Sequence, residues 1–257
     1  MGADGLIPTD FYSPNTTNAA MSWRPVVVVA GALPPAMAER LQRAASWVEM
    51  PAVQAIPAPL RQHADLFLFQ HKGVFVVAPN TPRSVVEVLL AQGAEVVVGR
   101  TLVNATTGSM GAYNVAVGDD VALCNPRWVD PVVREVLGAM PIVAVRQPLC
   151  RCGALVLSSR CILTSDGGIA RMLRREGMEV RLVEAGKIVL TGYRSGCLGG
   201  CCGVASVGGR RVVLTTGRIN LLTGGSEALA LLRREEVRVW ALGGGWPVDV
   251  GSLFVVG

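Results

Sequence analysis

The feature that most constrains this chain is a unit that it repeats. Between Asn114 and Val145 the text NVAVGDDVALCNPRWVDPVVREVLGAMPIVAV reads as two strands, a helix and a third strand. Asn114–Val117 is short, apolar and β-branched, Gly118-Asp119-Asp120 carries turn chemistry, and Val121–Cys124 returns as the second strand of a hairpin. Asp130 is placed to cap a helix, with Pro131 at its first position, where no amide donor is required. Val132, Val133, Val136 and Leu137 give that helix one apolar face at spacings of three and four. Pro141–Val145 is again an apolar run of strand length.

The same ββαβ order recurs on both sides. Upstream stand LFLF (66–69), the turn His71-Lys72-Gly73, VFVVAP (74–79), a helical TPRSVVEVLLAQG (81–93) and AEVVVG. Downstream stand ALVLS (154–158), CILTS (161–165), the helix GGIARMLRREG (167–177) and MEVRLV. A further copy has GVASVGG (203–209), RVVLTTG (211–217), the helix SEALALLRREE (226–236) and VRVWAL. The offset of roughly 40 to 50 residues is in the range that signals an array or a closed ring. Arg24–Gly31 and the helix Pro35–Ala45 lack a preceding hairpin strand, whereas the C-terminal VDVGSLFVVG has strand character and no helix. Pairing the two ends gives a fifth ββαβ unit and closes the ring without an open sheet edge. An open α/β sheet is the alternative; two strands before every helix argue against a doubly wound βαβ order.

Five such units in a ring is the architecture of the pentein fold, and the chain resembles an uncharacterised bacterial family assigned to that fold. The likeness is carried by APN (78–80), YNVA (113–116), CN followed by DPVV (124–133), LTSDGGIA (163–170), TGY followed by GG (191–200) and DVGS (249–252). It spans most of the chain after about residue 25. The resemblance implies a pentein-like α/β propeller with pseudo-fivefold symmetry, a fold shared by guanidino-group-modifying enzymes and by a non-catalytic ribosome-associated initiation factor. In the enzymes a Cys thiolate attacks the guanidinium carbon, a His moves protons and carboxylates bind the charged nitrogens. The nucleophile of that family belongs near the C-terminus, where this chain has DVGSLF and no Cys; its His belongs where this chain has the His-free YRSGCLGGCC. Those two roles are therefore not carried over.

Residues 23–257 read as one domain, preceded by an irregular Asn-, Thr-, Pro- and Gly-containing arm over 1–22. That arm lacks the basic start and apolar core of a secretion signal. No apolar run reaches the ~18 residues of a membrane span. The net charge is +5, but the arginines are scattered over helices without aromatic interleaving, so neither nucleic acid nor membrane is the expected partner. Seven Cys without a secretion signal fit a reducing, cytoplasmic location. Cys124 and Cys161 fall in strands and read as core. Cys150, Cys152, Cys197, Cys201 and Cys202 lie in two clusters before successive hairpins. C-x-C with C-x-x-x-C-C is not a usual zinc spacing, so no metal is expected; Cys150, Cys197, Cys201 and Cys202 would be the weak candidates. No G-x-G-x-x-G fingerprint is present and no cofactor is expected. Ser165-Asp166-Gly167-Gly168 reads as a helix cap.

In a ring, residues leading into each first strand converge at one end of the axis. These are Asp65, Asn114, Cys152, Cys202 and the stretch Asp249–Ser252, with His63 two residues before Asp65. Gly-containing loops at 106–113, 147–153, 192–203 and 243–247 would form the rim, with Arg194 available to hold an anion. The leading reading is a pentein-fold protein without the usual Cys/His positions. It would use Asp65, Asn114, Arg194, Asp249 and Ser252 to bind a small polar molecule or a protein partner at the central pore. A second is a hydrolase or amidinotransferase acting on guanidino or amide C–N bonds, with Cys152 as nucleophile and His63 as base. A third is a metal- or redox-linked protein using the Cys clusters. Ligand, pathway and oligomeric state stay open.

Overall fold

Among the described residues, an antiparallel strand pair whose second strand leads through a helix to a third, parallel strand occurs five times. The computed structural model describes residues 27–256, so the arm expected over residues 1–22 lies outside the described residues. The first stretch gives β1 (Val27–Ala30), α1 (Pro35–Gln42) and β2 (Ser46–Glu49). Next come β3 (Leu68–His71), β4 (Val74–Val77), α2 (Arg83–Ala91) and β5 (Glu95–Val98). A single turn α3 (Thr107–Met110) precedes β6 (Ala116–Val117), β7 (Ala122–Cys124), α4 (Pro131–Leu137) and β8 (Ile142–Ala144). Another, α5 (Cys150–Gly153), precedes β9 (Ala154–Ser158), β10 (Cys161–Thr164), α6 (Gly167–Arg175) and β11 (Val180–Leu182). The chain ends with β12 (Cys202–Val207), β13 (Arg210–Thr215), α7 (Gly225–Arg234), β14 (Arg238–Ala241) and β15 (Leu253–Val256).

Four units are sequential: β3-β4-β5, β6-β7-β8, β9-β10-β11 and β12-β13-β14, each antiparallel at its first pair and parallel at its second. The remaining unit joins the two ends of the described chain. β15 runs antiparallel to β1 with Val27 opposite Val256, and β1 runs parallel to β2. This unit and β12-β13-β14 merge into one six-stranded sheet through a single bridge, Gly203 to Leu253.

Local chemistry explains the elements. Asp130 accepts from the Val132 amide at 2.8 Å and Asp166 from the Gly168 and Ile169 amides at 2.6 and 2.8 Å, so both act as N-caps. Lys72 and Gly73 both have positive φ, the mark of a two-residue type I′ turn, and they place His71 opposite Val74. The expected strand 66–69 is shifted to Leu68–His71. The 3-10 turn Ala64–Leu66 takes Leu66 because the Asp65 amide donates to Gly251 O and the Phe67 amide to Ala64 O. His71 therefore ends a strand instead of lying in the turn.

First and second strands are mostly buried, while β2, β5 and β8 are half-exposed outer strands. Side chains such as Phe69, Phe75, Val115 and Phe254 share one apolar cluster; Ala116 and Leu123 share another with Val156 and Ile162. A third joins Leu155 and Leu163 to Val213 and Leu232, and a fourth joins Leu214 and Trp240 to Ala30 and Leu253. Each cluster thus spans consecutive units. Removing a fully buried large apolar side chain from such clusters costs about 2–5 kcal/mol. Among the described residues no helix is long and apolar enough to cross a membrane.

Candidate functional site

Every first strand is entered through a tight turn, and these turns meet. The one before β12, Gly199–Cys201, meets Ser252 through Gly199 O, which accepts from Ser252 Oγ at 3.1 Å, and Gly200 O, which accepts from the Ser252 amide at 2.9 Å. Asp65 sits in the turn before β3, Asn114 two residues before β6, Cys152 in α5 before β9, and Ser252 immediately before β15. All four are buried. Asp65 Oδ2 accepts from Cys152 Sγ at 3.0 Å and from Ser252 Oγ at 2.8 Å. Asn114 Oδ1 accepts from the Cys152 amide at 3.2 Å, and its Nδ2 donates to Asp65 O at 3.0 Å and to Cys152 Sγ at 3.2 Å. Asp65 Oδ1 is buried and has no hydrogen-bond partner. That single atom is the feature hardest to explain structurally, because an unsatisfied buried acceptor costs about 1–3 kcal/mol.

A second carboxylate lies alongside. Asp249 Oδ1 accepts from the Gly251 amide at 3.1 Å and Oδ2 from the Cys197 amide at 2.8 Å. His63 Nδ1 stands 3.9 Å from Asp249 Oδ1. His63 is buried because Gly251 lets the two segments touch: a Cβ there would strike the His63 backbone and ring. Gly251 and Ser252 are consecutive left-handed residues, with φ of 71° and 68°. For a serine this conformation is strained, and strain of order 1–3 kcal/mol persists where the surroundings over-determine it. Here it turns the Ser252 hydroxyl onto Asp65.

The electrostatics are those of a crowded, negatively biased interior. Burial first, and then Asp65, raise the Asp249 carboxyl, while His63 pulls it back down. Burial pushes the Cys152 thiol well above its ordinary range, and Asp65 and Asp249 push it further. Cys152 is therefore a protonated donor, not a resting thiolate. Cys197 and Cys202 are each pushed up to about 12, chiefly by burial.

One residue of this region carries no sequence signal for its position. The Arg151 guanidinium carbon lies 4.1 Å from the centroid of the Phe254 ring, and its buried Nε has no partner. Burial lowers its pKa and Asp65 opposes that effect, so it contributes positive charge on the Asp65 side of the cluster. Its position between Cys150 and Cys152 suggested a rim residue, and the stacking on Phe254 could not be read from spacing.

Of the nominated residues, His63, Asp65, Asn114, Cys152, Asp249 and Ser252 come together. Arg194 does not: it is exposed, outside the buried cluster. The cysteines nominated as weak metal candidates also fail to gather. The Cys150 thiol turns to Gln147 O at 3.3 Å and Cys201 to Cys197 O at 3.3 Å. The metal-ligand types that do gather are His63, Asp65 and Cys152, whose ligand atoms lie within 4.8 Å of one another.

The α/β fold is similar to that of solved pentein-fold structures. Agmatine deiminase of C. jejuni superposes with a TM-score of 0.50 at 10% identity, covering 87% of this chain and 77% of that one. A cysteine-to-serine mutant of DDAH from Pseudomonas aeruginosa, complexed with citrulline, gives 0.44 at 8% identity over 84% of this chain and 92% of that one. At these identities the likeness concerns the fold alone. Residues 28–254 match the model of a family of unknown function, DUF6873, and the chain belongs to that family. No curated protein matches the sequence.

Proposed function

We propose that this protein binds a small polar molecule carrying a guanidinium or ammonium group at the Asp65–Asp249 cluster, without thiolate catalysis in its resting state. The observation that carries the reading is Asp65. One oxygen already accepts two side-chain donors, while the other, fully buried, has none. A cationic N–H donor would satisfy it, and a planar guanidinium could engage a carboxylate through two parallel bonds. Asn114 and Ser252 fix the geometry of Asp65, and Asp249 supplies a second negative end. The five units would stand in a closed ring around this site, a reading supported by apolar clusters that link each unit to the next. A reducing, cytoplasmic setting fits seven unpaired cysteines.

The test is thermal unfolding in chelator-containing buffer with agmatine, arginine and guanidine. A ligand at 100 times its Kd stabilises by about 2.7 kcal/mol, which for a domain of this size raises Tm by roughly 5–10 °C. Asp65→Asn should abolish the shift. If no compound moves the wild-type transition, the reading fails.

One observation favours a second reading, a hydrolase or amidinotransferase on C–N bonds: side-chain atoms of Cys152, His63 and Asp65 lie within 4.8 Å of one another. Against it stands the protonated thiol. A bound cation would lower the thiol pKa by direct charge interaction, so the nucleophile would form only with substrate in place. Release of ammonia from agmatine by the wild type, lost in Cys152→Ala, would establish this reading; binding without turnover would remove it.

A further inference from the structure

The same three side chains have a capacity that goes beyond an organic ligand and does not rest on that reading. We infer that His63, Asp65 and Cys152 form a site for a thiophilic divalent cation of the zinc class, with Asp249 positioning the histidine.

The donor set is the first argument. A thiolate, an imidazole nitrogen and a carboxylate oxygen are the three ligand types that zinc takes, and three protein ligands leave a fourth position for water or another group. Thiolate and imidazole together select against Mg²⁺ and Ca²⁺, which prefer oxygen. Distance is the second. The ligand atoms lie within 4.8 Å of one another, with Cys152 Sγ and Asp65 Oδ2 at 3.0 Å. Ligands at zinc bond lengths in tetrahedral geometry lie roughly 3.3–3.7 Å apart, so side-chain shifts on the order of 1 Å bring all three into place. Asp65 Oδ1, buried and without a partner, is the independent sign that this set is incomplete.

Charge balance is the third argument. In the metal-free site one proton sits between a thiol and a carboxylate. On coordination Cys152 releases that proton to the buffer, no electron moves, and the dication is neutralised by one thiolate and one carboxylate. Arg151 adds positive charge on the Asp65 side of the site. Asp249 serves the histidine as carboxylates serve metal-bound imidazoles, by fixing the ring, with its own oxygens held by the Gly251 and Cys197 amides.

The experiment is titration of chelator-stripped, reduced full-length protein with Co²⁺, with no guanidino compound present. One equivalent should bind with a sulfur-to-cobalt charge-transfer band in the near ultraviolet, and Zn²⁺ should displace it. Cys152→Ser should lose the band while keeping the circular dichroism of the wild type. Asp249→Asn should keep the band and bind about 10–100-fold more weakly. Should Cys152→Ser fail to fold, the wild type still decides: Zn²⁺ should protect Cys152, and not Cys161, from alkylation at pH 9. Absence of the band, or a band retained in Cys152→Ser, overturns the inference. Since the metal titration contains no organic cation and the ligand test contains chelator, each can fail without the other.

Discussion

Asn114 holds three buried groups at once: the Asp65 carbonyl, the Cys152 amide and the Cys152 thiol. Truncating it to alanine strands two backbone groups in a dry interior, at about 1–3 kcal/mol each. Asn114→Ala should therefore lose roughly 2–6 kcal/mol of stability, read as a lower urea midpoint at unchanged slope. A loss under 1 kcal/mol would mean that water replaces the amide. Away from the cluster, Cys161 reports chiefly on burial, with smaller contributions from nearby charges. Its thiol is pushed up to about 11 by burial and then by Glu235 and Glu179, against Arg211 and Arg234. A thiol whose folded pKa is raised contributes stability that is intact below the unfolded value and is lost as pH climbs toward the folded value. Wild-type stability under reductant should fall between about pH 9 and 11, and Cys161→Ala should flatten that slope, on the order of 2 kcal/mol across the window. Parallel slopes would show that Cys161 titrates normally. At this scale the sequence was partly legible. Polar residues at positions leading into apolar strands marked Asp65, Asn114, Cys152 and Ser252. The side-chain path of Arg151, and the burial of His63 against Gly251, depend on segments far apart in the chain and left no local trace.

At the scale of elements, the legible parts were those decided by local chemistry. The caps at Asp130 and Asp166 and the strand β9 fall where turn residues and apolar alternation put them. The errors have tertiary causes. Leu66 and Phe67 belong to an apolar run, yet Asp65 is drawn into a turn by Gly251, so β3 begins two residues later. α5 replaces an expected loop, because Cys150 and Arg151 donate their amides to Asn114 O, in the neighbouring unit. The turn between β3 and β4 offers an element-scale test. Lys72 has φ 49° and is exposed, a position where asparagine is better suited than lysine. Lys72→Asn should stabilise the protein by about 0.4–1 kcal/mol, visible as a rise in Tm. A fall would show that the hairpin is not in the type I′ conformation.

For the whole molecule, the decisive pairing is the one between β1 and β15, which places Val27 directly opposite Val256. A unit assembled from both ends holds Asp249, Gly251 and Ser252 against Asp65 and His63, so the site exists only when this unit is closed. Two rearrangements separate the pairing from the covalent order. Removing residues 253–257 takes away β15, with Phe254 and its contact to Arg151, and should leave a chain without a cooperative unfolding transition. A circular permutant should behave in the opposite way. Because Val27 and Val256 are antiparallel partners, a short Gly-containing hairpin can join them, and new ends can be opened in the turn between β9 and β10, where Arg160 is exposed and Ser159 half-buried. Ladder, core and site all survive that exchange, while the entropy of closing one long loop is traded for another of similar, slowly varying size. The permutant should unfold cooperatively within a few °C of the parent and show the same near-ultraviolet circular dichroism. A permutant that folds while the truncated chain does not would locate the requirement in the strand pairing itself. A permutant that fails to fold would mean that assembly of this chain depends on the order in which its units are connected.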